Sequence, residues 1–546
     1  MLKLLYFVIS IASAQYAVAH SEAFWKSFEN DFITMEMDHK LNPQVKSRYP
    51  QAVRFLLEGL IGWHPGTTWD QQSLCSLAEF REALYNEPLA RKKQVILDEF
   101  IQRCHPVYSK NNTLNALKIL SQKGSFHHHP FFKYSFLKFP EAHKTRVLWG
   151  FKSESKRDLI VIRPGIYANV DEMIAERYLL FLLTELNDFH VVVLENSTSG
   201  EHFHNNDKVM IGGAKEAFEN LYLIEHIRAH PTLSKLVDKI HLMGISLGAN
   251  GVLLSSLVNQ KKERKYFDKT FLFCPVVDLP GSFLAQMNSG LRPYLMDLWS
   301  SQRLEDLQSK KNFQLDSFWG SLFSLTPRWI RGAWAWFEKS YSYKPGWQTY
   351  LSKDFYTGDF KNDYDFFNEQ TILPEQFYVF ATKVDPIVFP EMNYDRLVPK
   401  GHQDTLFYKF EDGFHCSFAY TYQWKFLDAL FSAMVGRSEE FMSKDSKRYE
   451  LTVEHHQHLH DNSVSDRPYI RSVEISKLQE GTVELLVYFA VQSDLASGHV
   501  KIPLKDLSID EHYAENEIEA IRNYIKRFIQ TKFEIEKDNS KFFIKI

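Results

Sequence analysis

Apolar and polar residues follow two different periods along this chain. At about residues 22–132 the apolar positions recur at helical spacing, for example in 52–60 and 95–101, which predicts a helical N-terminal region. Further along, the pattern alternates every second residue in 135–139 and 145–151, as antiparallel strands do. It then changes to mostly apolar runs that are typical of buried parallel strands. The strand-like runs are 158–162, 189–194, 240–243, 271–274, 376–382 and 405–410.

The first residues have the layout of a secretory signal peptide. Lys3 precedes an apolar run over residues 4–12, and a small-x-small cleavage site, Ala-Val-Ala, ends at Ala19. We expect the mature chain to begin near His20, with cleavage after Ala14 as the alternative. The apolar run is far shorter than the ~20 residues of a membrane span, and no other stretch is long enough. The sequence therefore predicts an exported protein, periplasmic or secreted, without a membrane span.

Composition excludes one class of partner. The chain has 546 residues and a formal net charge of −4, and its Lys and Arg residues form no basic stripe. Phosphate binding needs clustered positive charge, so we expect no nucleic-acid partner. We also expect no cofactor.

Residues 244–248, Gly-Ile-Ser-Leu-Gly, carry the strongest chemical signal. They stand between the strand-like run 240–243 and a helix-like run at 249–254. A Gly-x-Ser-x-Gly turn in this position is a nucleophile elbow, which turns so sharply from strand to helix that the serine is strained and exposed above the sheet. Ser246 is therefore the candidate nucleophile.

An elbow predicts an acid and then a histidine, each after a later strand. Asp385 follows the run 376–382, and His415 follows the run 405–410 behind a glycine turn. A serine hydroxyl is a poor nucleophile until an imidazole takes its proton, and the carboxylate fixes that imidazole's tautomer. The rival acid is Asp278, after the preceding strand. The rival base, His402, precedes its strand.

A second group must stabilise the oxyanion that forms on the attacked carbonyl. In an elbow protein the backbone N–H after the nucleophile supplies one donor, and the loop after the third strand supplies the other. We predict Leu247 for the first donor and Ile166, after the strand at 158–162, for the second.

From about residue 134 to residue 434 the chain resembles an α/β-hydrolase, most closely the YheT-like branch. The resemblance is carried by residues 244–250, by the acid loop at 385–388 and by Gly-Phe-His at 413–415. It departs from the usual pattern in having Pro164 where His precedes the oxyanion-loop glycine, and Phe414 where a second glycine precedes the histidine. The resemblance implies an α/β fold with a doubly wound, mostly parallel sheet, and ester hydrolysis through an acyl-enzyme.

The resemblance also organises the rest of the chain. An aromatic-rich insertion at about 282–356 stands where this fold places a helical cap, and its tryptophans either pack the cap onto the body or line an apolar acyl pocket. After residue 436 strand-like runs at 483–488 and 542–546 and a helix near 515–532 predict a small α+β C-terminal appendage. The predicted domains are 1–19 (signal), 20–132 (helical N-terminal region), 133–436 (hydrolase domain) and 437–546 (appendage).

Four cysteines allow disulfides in an exported protein. Cys75 and Cys104 lie in one helical region and are predicted to join two helices. Cys274 and Cys416 follow strands with a third strand between them, a separation of roughly 9.5 Å. That exceeds the Cα–Cα reach of a disulfide, about 7 Å, so both thiols are predicted to be free, on the floor of the active site.

Two histidine clusters raise the question of a metal site, and neither has a clear acidic or cysteine ligand to complete it. We therefore expect solvated surface at both and no metal. The clusters are His127, His128 and His129, and His455, His456, His458 and His460.

Two classes of function remain open. The first is a serine hydrolase cleaving small carboxylic esters of short to medium acyl chains, with a peptidase or amidase of the same fold as its nearest rival. The second is a hydrolase-like binding protein without activity, against which the intact Ser246, Asp385 and His415 argue. The same three residues serve esters and amides, so the sequence leaves that choice open, together with the natural substrate and the oligomeric state.

Overall fold

A computed structural model gives the structure of the protein. It describes residues 20–37, 75, 77–107, 126, 131–140, 143–151, 153–171, 179–180, 182–186, 189–206, 211–287, 372–374, 376–413, 415–416, 421–435, 448–458, 469–479, 481–491, 494–507, 518, 522, 525, 534–538 and 541–545. The predicted signal segment, the predicted cap from residue 288 onward, the stretch 52–60 and His127, His128, His129 and His460 lie outside these residues.

The described strands and helices follow the predicted runs closely. In chain order the strands are β1 (Ile33–Met35), β2 (Phe132–Lys138), β3 (Lys144–Gly150), β4 (Arg157–Arg163), β5 (His190–Leu194), β6 (Val237–Ile245), β7 (Lys269–Phe273), β8 (Phe377–Thr382), β9 (Leu406–Phe410), β10 (Arg448–His458), β11 (Tyr469–Gln479), β12 (Thr482–Val491), β13 (Asp494–Pro503), β14 (Glu534–Asp538) and β15 (Lys541–Lys545). The α-helices are α1 (Glu22–Lys26), α2 (Leu77–Asn86), α3 (Ala90–Cys104), α4 (Gly200–Asn206), α5 (Gly213–Ala229), α6 (Leu233–Leu236), α7 (Gly248–Gln260), α8 (Leu279–Met287), α9 (Tyr394–Leu397) and α10 (Trp424–Val435). Of the helices that the structure describes, none combines the length and the hydropathy needed to cross a bilayer.

Nine of the described strands form one sheet in the order β1-β2-β3-β5-β4-β6-β7-β8-β9. The pairs from β5 to β9 are all parallel, whereas β1, β2 and β3 are joined by antiparallel pairs. Apart from the edge strand β1, this order and these directions are those of the α/β-hydrolase fold. In that fold two strands that follow each other in the chain, here β4 and β5, stand in reversed order in the sheet. The predicted α/β class with a mostly parallel sheet is confirmed.

The central parallel strands are buried on both faces, which is why strands such as β5 and β8 are almost continuously apolar. In β4, Ile160 and Ile162 belong to one buried cluster, and Leu159 and Val161 belong to another on the opposite face. Side chains of α2, α3 and α10 complete the first cluster, and those of α5, α6 and α7 complete the second. The sheet is therefore doubly wound, and the loops after its parallel strands meet at one edge.

One strand lies in the region predicted to be helical. Residues 33–35 form β1, which pairs with β2 through Ile33–Leu137 and Met35–Ser135. The prediction of helix is wrong for these residues, because three residues are too few to show a period and their conformation is set by the neighbouring strand. Elsewhere in this region α1, α2 and α3 confirm the helical spacing, and the predicted stretch 95–101 lies within α3.

The N-terminal helices are tied together and packed onto the core. A disulfide joins Cys75, just before α2, to Cys104 at the end of α3, as predicted. The ring centroids of Phe80 in α2 and Phe100 in α3 lie 4.1 Å apart. Both rings stack on Phe426 of α10, each at a centroid distance of 5.6 Å. The disulfide thus closes a helical hairpin whose inner face contacts α10, a helix that packs on the nine-stranded sheet.

The C-terminal appendage has a sheet of its own, in the order β11-β12-β13-β10-β15-β14. Its middle strands alternate as half-buried antiparallel strands do: Val483, Leu485, Val487 and Phe489 of β12 are buried, and the residues between them are partly exposed. The predicted strand at 483–488 is confirmed, and the one at 542–546 is confirmed as far as residue 545, the last that the structure describes. Helical residues at 518, 522 and 525 fall within the predicted helix 515–532.

Candidate active site

The candidate nucleophile sits in a strained turn between β6 and α7. Ser246 has φ 53°, in the left-handed region that costs a residue with a Cβ atom about 1 kcal/mol or more. Its N–H donates to the carbonyl of Phe273 at 2.8 Å, and its carbonyl accepts from Ala249 at 3.1 Å. Position 248 must be glycine, because a Cβ there would lie 2.4 Å from the carbonyl oxygen of Arg163. The geometry is that of the predicted elbow.

The structure brings His415 to Ser246. His415 follows β9 after a turn in which Gly413 has φ 100°, a conformation that favours glycine. The Oγ atom of Ser246 lies 2.9 Å from His415 Nε2. This distance is short enough for the imidazole to accept the hydroxyl proton.

Asp385 completes the contact chain. Its Oδ2 and Oδ1 atoms lie 2.9 Å and 3.1 Å from His415 Nδ1. Asp385 Oδ1 also accepts the backbone N–H groups of Ile387 at 2.9 Å and Val388 at 2.8 Å, which hold the buried carboxylate in place. A carboxylate on Nδ1 selects the tautomer in which Nδ1 carries the proton, so Nε2 keeps its lone pair toward Ser246. Ser246, His415 and Asp385 therefore form one continuous contact chain, in the order that the sequence predicts for a triad.

The two rival residues have other partners. Asp278 accepts from the N–H of Gly281 at 2.7 Å, at the start of α8, and forms an ion pair with Arg396 at 2.8 Å. His402 lies 3.6 Å from Asp404. It is therefore Asp385 that meets the histidine following β9, and neither rival belongs to the contact chain that ends at Ser246.

The predicted oxyanion donors flank Ser246. Ile166 and Leu247 line the same cavity as Ser246, and no described residue accepts a hydrogen bond from either backbone N–H. Gly165 allows the loop to approach this closely, because a Cβ at position 165 would lie 3.3 Å from the Cβ of Ser246. Both amides are thus available at the edge of the site.

A buried polar network behind this loop is absent from the sequence predictions. The fully buried guanidinium of Arg163 donates to Asn220 Oδ1 at 2.7 Å, to the Glu195 carbonyl at 3.1 Å and to Glu219 Oε2 at 2.6 Å. Burial acts to raise the pKa of Glu219, but the charges of Lys215 and Arg163 outweigh it and hold that pKa well below its ordinary value. A charged residue directly after an apolar run, such as Arg163 at the end of β4, is the sequence signal that indicates such a network.

Residues that follow Glu195 hold the loop after β4 directly. Asn196 Nδ2 donates to the carbonyl of Pro164 at 3.1 Å, and the N–H of Tyr167 donates to Thr198 Oγ1 at 2.7 Å. Tyr167 has φ 62°, so this side-chain contact holds a left-handed residue next to Ile166. Glu195, beside Asn196, is fully buried, and burial raises its pKa to about 8.

The two thiols predicted to be free are free, but the reasoning from strand spacing is wrong. Cys274 follows β7 and Cys416 follows β9, with β8 between them, yet the N–H of Cys416 donates to Cys274 Sγ at 2.9 Å. The loop after β9 turns at Gly413 and brings Cys416 to the end of β7. The two cysteines are therefore closer together than the spacing of their strands predicts. Burial raises the pKa of both thiols, which keeps them protonated near neutral pH.

The cavity at Ser246 is lined mainly by apolar side chains, and none of the described lining residues is charged. Helix α8 supplies one wall and the acid loop supplies another. Gln286 of α8 donates to the carbonyls of Pro386 and Ile387, at 3.2 and 2.6 Å, and so joins the two walls. The described lining residues are Ile166, Ser246, Leu247, Val276, Leu279, Ser282, Phe283, Gln286, Ile387 and Val388.

Comparison with known proteins finds similar solved structures but no close relative. No protein-family model matches the chain, and no curated protein matches it. One similar solved structure is the esterase Pf2001 of Pyrococcus furiosus, with 12% identity, a TM-score of 0.35, and coverage of 55% of this chain and 92% of that chain. The thermostable carboxylesterase EstE1 from a metagenomic library has 14% identity, a TM-score of 0.35, and coverage of 67% and 98%. A structure of fungal esterases from Rhizomucor miehei has 13% identity, a TM-score of 0.36, and coverage of 60% and 88%. At such identities and TM-scores, function has to be argued from the geometry of the site.

Proposed function

We propose that the protein is a serine hydrolase that cleaves carboxylic esters with short to medium acyl chains. The observation that carries the proposal is the continuous contact chain from Ser246 Oγ to His415 Nε2 and from His415 Nδ1 to Asp385. Each contact is 2.9 to 3.1 Å long, and the serine stands on a strained elbow. These are the parts that nucleophilic catalysis by a hydroxyl requires.

The reaction follows from the positions of these atoms. Ser246 Oγ attacks the ester carbonyl while His415 Nε2 takes the hydroxyl proton, and Asp385 stabilises the imidazolium that forms. The backbone N–H groups of Leu247 and Ile166 stabilise the oxyanion. Collapse of the tetrahedral intermediate transfers the proton from His415 to the departing alcohol and leaves an acyl-enzyme. Water, activated by His415 in turn, then releases the acid.

The cavity lining favours an acyl ester over a peptide with a free amino terminus. An aminopeptidase needs a carboxylate near its nucleophile to bind the ammonium group, and the described lining residues offer none. Leu279, Phe283 and Val388 instead present apolar surface, which gains about 25 cal/mol for each Å² removed from water. A peptidase or amidase, and a binding protein without activity, are the outcomes that the test below separates from an esterase.

A fluorophosphonate probe tests the nucleophile. The wild-type protein should be labelled once, at Ser246, because the probe reacts only with an activated hydroxyl. Ser246→Ala should abolish labelling, whereas Ser282→Ala, which removes the other hydroxyl that lines the described cavity, should leave the label in place. Labelling that survives Ser246→Ala contradicts the assignment. A panel of nitrophenyl esters and aminoacyl amides then decides the substrate class: faster turnover of the amides replaces the esterase by the peptidase, and no turnover with either favours the binding protein.

We also propose that the protein is exported, to a periplasm or out of the cell. Two features support this location. Residues 1–19 have the layout of a signal peptide, and the Cys75–Cys104 disulfide is a bond that persists in oxidising compartments. Fractionation of expressing cells, with N-terminal sequencing of the mature chain, tests the location and separates cleavage after Ala19 from cleavage after Ala14.

A further inference from the structure

Two thiols and the triad imidazole converge on one point beneath the active site. The sulfur atoms of Cys274 and Cys416 and a ring nitrogen of His415 all lie within 4.8 Å of one another. The three side chains come from the loops that follow β7 and β9, and the reaction outlined for the triad uses only the imidazole. The proposed reaction therefore leaves the two thiols unused, although they lie within 4.8 Å of an imidazole nitrogen of His415.

This donor set suits a soft cation. Thiolate and imidazole are the ligands that Zn²⁺ and similar d¹⁰ ions prefer, with Zn–S about 2.3 Å and Zn–N about 2.0 Å. Two ligand atoms of a tetrahedral Zn²⁺ ion are then roughly 3.5 to 3.8 Å apart. Since the three atoms already lie within 4.8 Å, closure onto an ion needs shifts of only about 1 Å.

The Cys416 N–H and Asp385 contact two of these side chains in the way that hydrogen-bonding groups contact the ligands of known metal sites. The N–H of Cys416 points at Cys274 Sγ from 2.9 Å, a contact that stabilises a negatively charged sulfur. Asp385 bonds Nδ1 of His415, as carboxylates orient ligating histidines in zinc sites. Cys274 is a buried residue, whereas Cys416 and His415 are partly exposed residues.

We propose that Cys274, Cys416 and His415 form an inhibitory binding site for a thiophilic divalent cation, with Zn²⁺ as the probe. Binding replaces two thiol protons, which leave to solvent, by the ion. A neutral imidazole has a single free lone pair. An ion on Nε2 takes the lone pair that accepts the Ser246 proton, and an ion on Nδ1 displaces Asp385 and moves the proton to Nε2. Either mode removes the base, so occupancy and catalysis exclude each other. The inhibitory part rests on the proposed hydrolase function, whereas binding does not.

Binding is measured first, without reference to activity. Reduced wild-type protein, Cys274→Ser and Cys416→Ser compete with a chromophoric chelator for Zn²⁺, and His402→Gln serves as a control that removes a histidine outside the site. The wild type and His402→Gln should bind one more equivalent than either cysteine variant. Equal stoichiometry and affinity in all four proteins overturn the proposal. Cooperative urea unfolding shows whether each variant is folded. Because there are two cysteine variants, the result stands even if one of them fails to fold.

Inhibition is measured second, as the rate of fluorophosphonate labelling. At free Zn²⁺ tenfold above its dissociation constant, labelling of the wild type should slow about 11-fold, and labelling of Cys416→Ser should not respond to Zn²⁺. Labelling that proceeds unchanged while the site is occupied overturns the inhibitory part. If no protein is labelled even without Zn²⁺, the proposed hydrolase function fails, and the chelator competition still decides whether the site exists.

Discussion

In the proposed triad, Ser246, His415 and Asp385 act through one another, so the effects of substituting them should not add. Ser246→Ala and His415→Ala should each lower kcat by roughly 10⁴- to 10⁶-fold, and the double variant should fall little further, because either change already removes proton transfer. Asp385→Asn should lower kcat by roughly 10⁴-fold through the wrong imidazole tautomer. Steady-state kinetics on a nitrophenyl ester, with circular dichroism as a folding check, measures all four.

Asp278→Asn is the matched control for the acid. It removes the ion pair with Arg396 but makes no change at His415, so kcat should stay close to the wild-type value. If Asp278→Asn were the more damaging of the two Asp substitutions in a folded protein, the acid would have to be reassigned.

Glu195 should make stability depend on pH. Burial raises its folded-state pKa to about 8, so the native protein keeps this carboxyl protonated at pH values where the unfolded chain has released the proton. The free energy of unfolding should therefore fall as pH rises from about 5 to about 8, by at most about 1.4 kcal/mol per pH unit from this group. Glu195→Gln, which keeps an acceptor for the Arg146 N–H, should be more stable than the wild type at pH 8.5 and similar to it at pH 5. Urea unfolding at both pH values measures this, and parallel pH profiles of the two proteins contradict it.

The triad could be predicted from sequence because each member follows a strand that is itself visible as an apolar run. Cys274 and Cys416 could not be placed correctly in the same way, since a rule of strand spacing says nothing about a loop that turns back across the sheet. The pairing within the network of Arg163, Glu195 and Glu219 could not be predicted either, because a charged residue at the end of an apolar run does not identify its partners. The charges of this network are paired only by tertiary contacts among β4, the loop after β5 and α5.

At the scale of elements, buried strands are the best predicted feature. The predicted run 376–382 differs from β8 by one residue at one end, and the run 158–162 differs from β4 by one residue at each end, because a strand buried on both faces is mostly apolar along its length. β1 was missed for the opposite reason: Ile33 and Met35 are buried and Thr34 is exposed, but three residues carry too little pattern, and the pairing with β2 decides.

Helix α8 should set the acyl preference. Each buried methylene is worth about 0.8 kcal/mol, so kcat/KM for nitrophenyl esters should rise about fourfold per methylene from acetate until the cavity is full. Phe283 lines the cavity, and Phe283→Ala should move the maximum to longer chains. Leu284→Ala changes a half-exposed residue of the same helix and should leave the profile as in the wild type. Identical profiles in all three proteins would mean that α8 does not limit the acyl chain.

At the scale of the whole molecule, the sequence predicts where strands and helices lie along the chain better than it predicts which strands pair in a sheet. The sheet order could be anticipated only through the resemblance to α/β-hydrolases, since pairs such as β3 with β5 are set by contacts distant in sequence. The appendage was predicted as α+β from its apolar runs, and the order β11-β12-β13-β10-β15-β14 was not. Alternation in β12 fixes which residues face inward but leaves the choice of neighbouring strands to the packing of the complete sheet.

The Cys75–Cys104 disulfide should stabilise the molecule mainly by restricting its unfolded chain. The two cysteines are 29 residues apart, and closing a loop of that length lowers the entropy of the unfolded state by an amount worth roughly 3 to 4 kcal/mol. The hairpin that it closes packs on α10 through Phe80, Phe100 and Phe426, so loss of the disulfide should also lower the urea midpoint of the core around the nine-stranded sheet.

The double variant with Cys75→Ser and Cys104→Ser should therefore unfold at a lower urea concentration than oxidised wild type, and a reductant should lower the wild-type midpoint to about the same value. Because Cys274 and Cys416 are already thiols, the reductant should not change the midpoint of the double variant. A reductant effect that persists in the double variant would show that the second cysteine pair is oxidised in the purified protein.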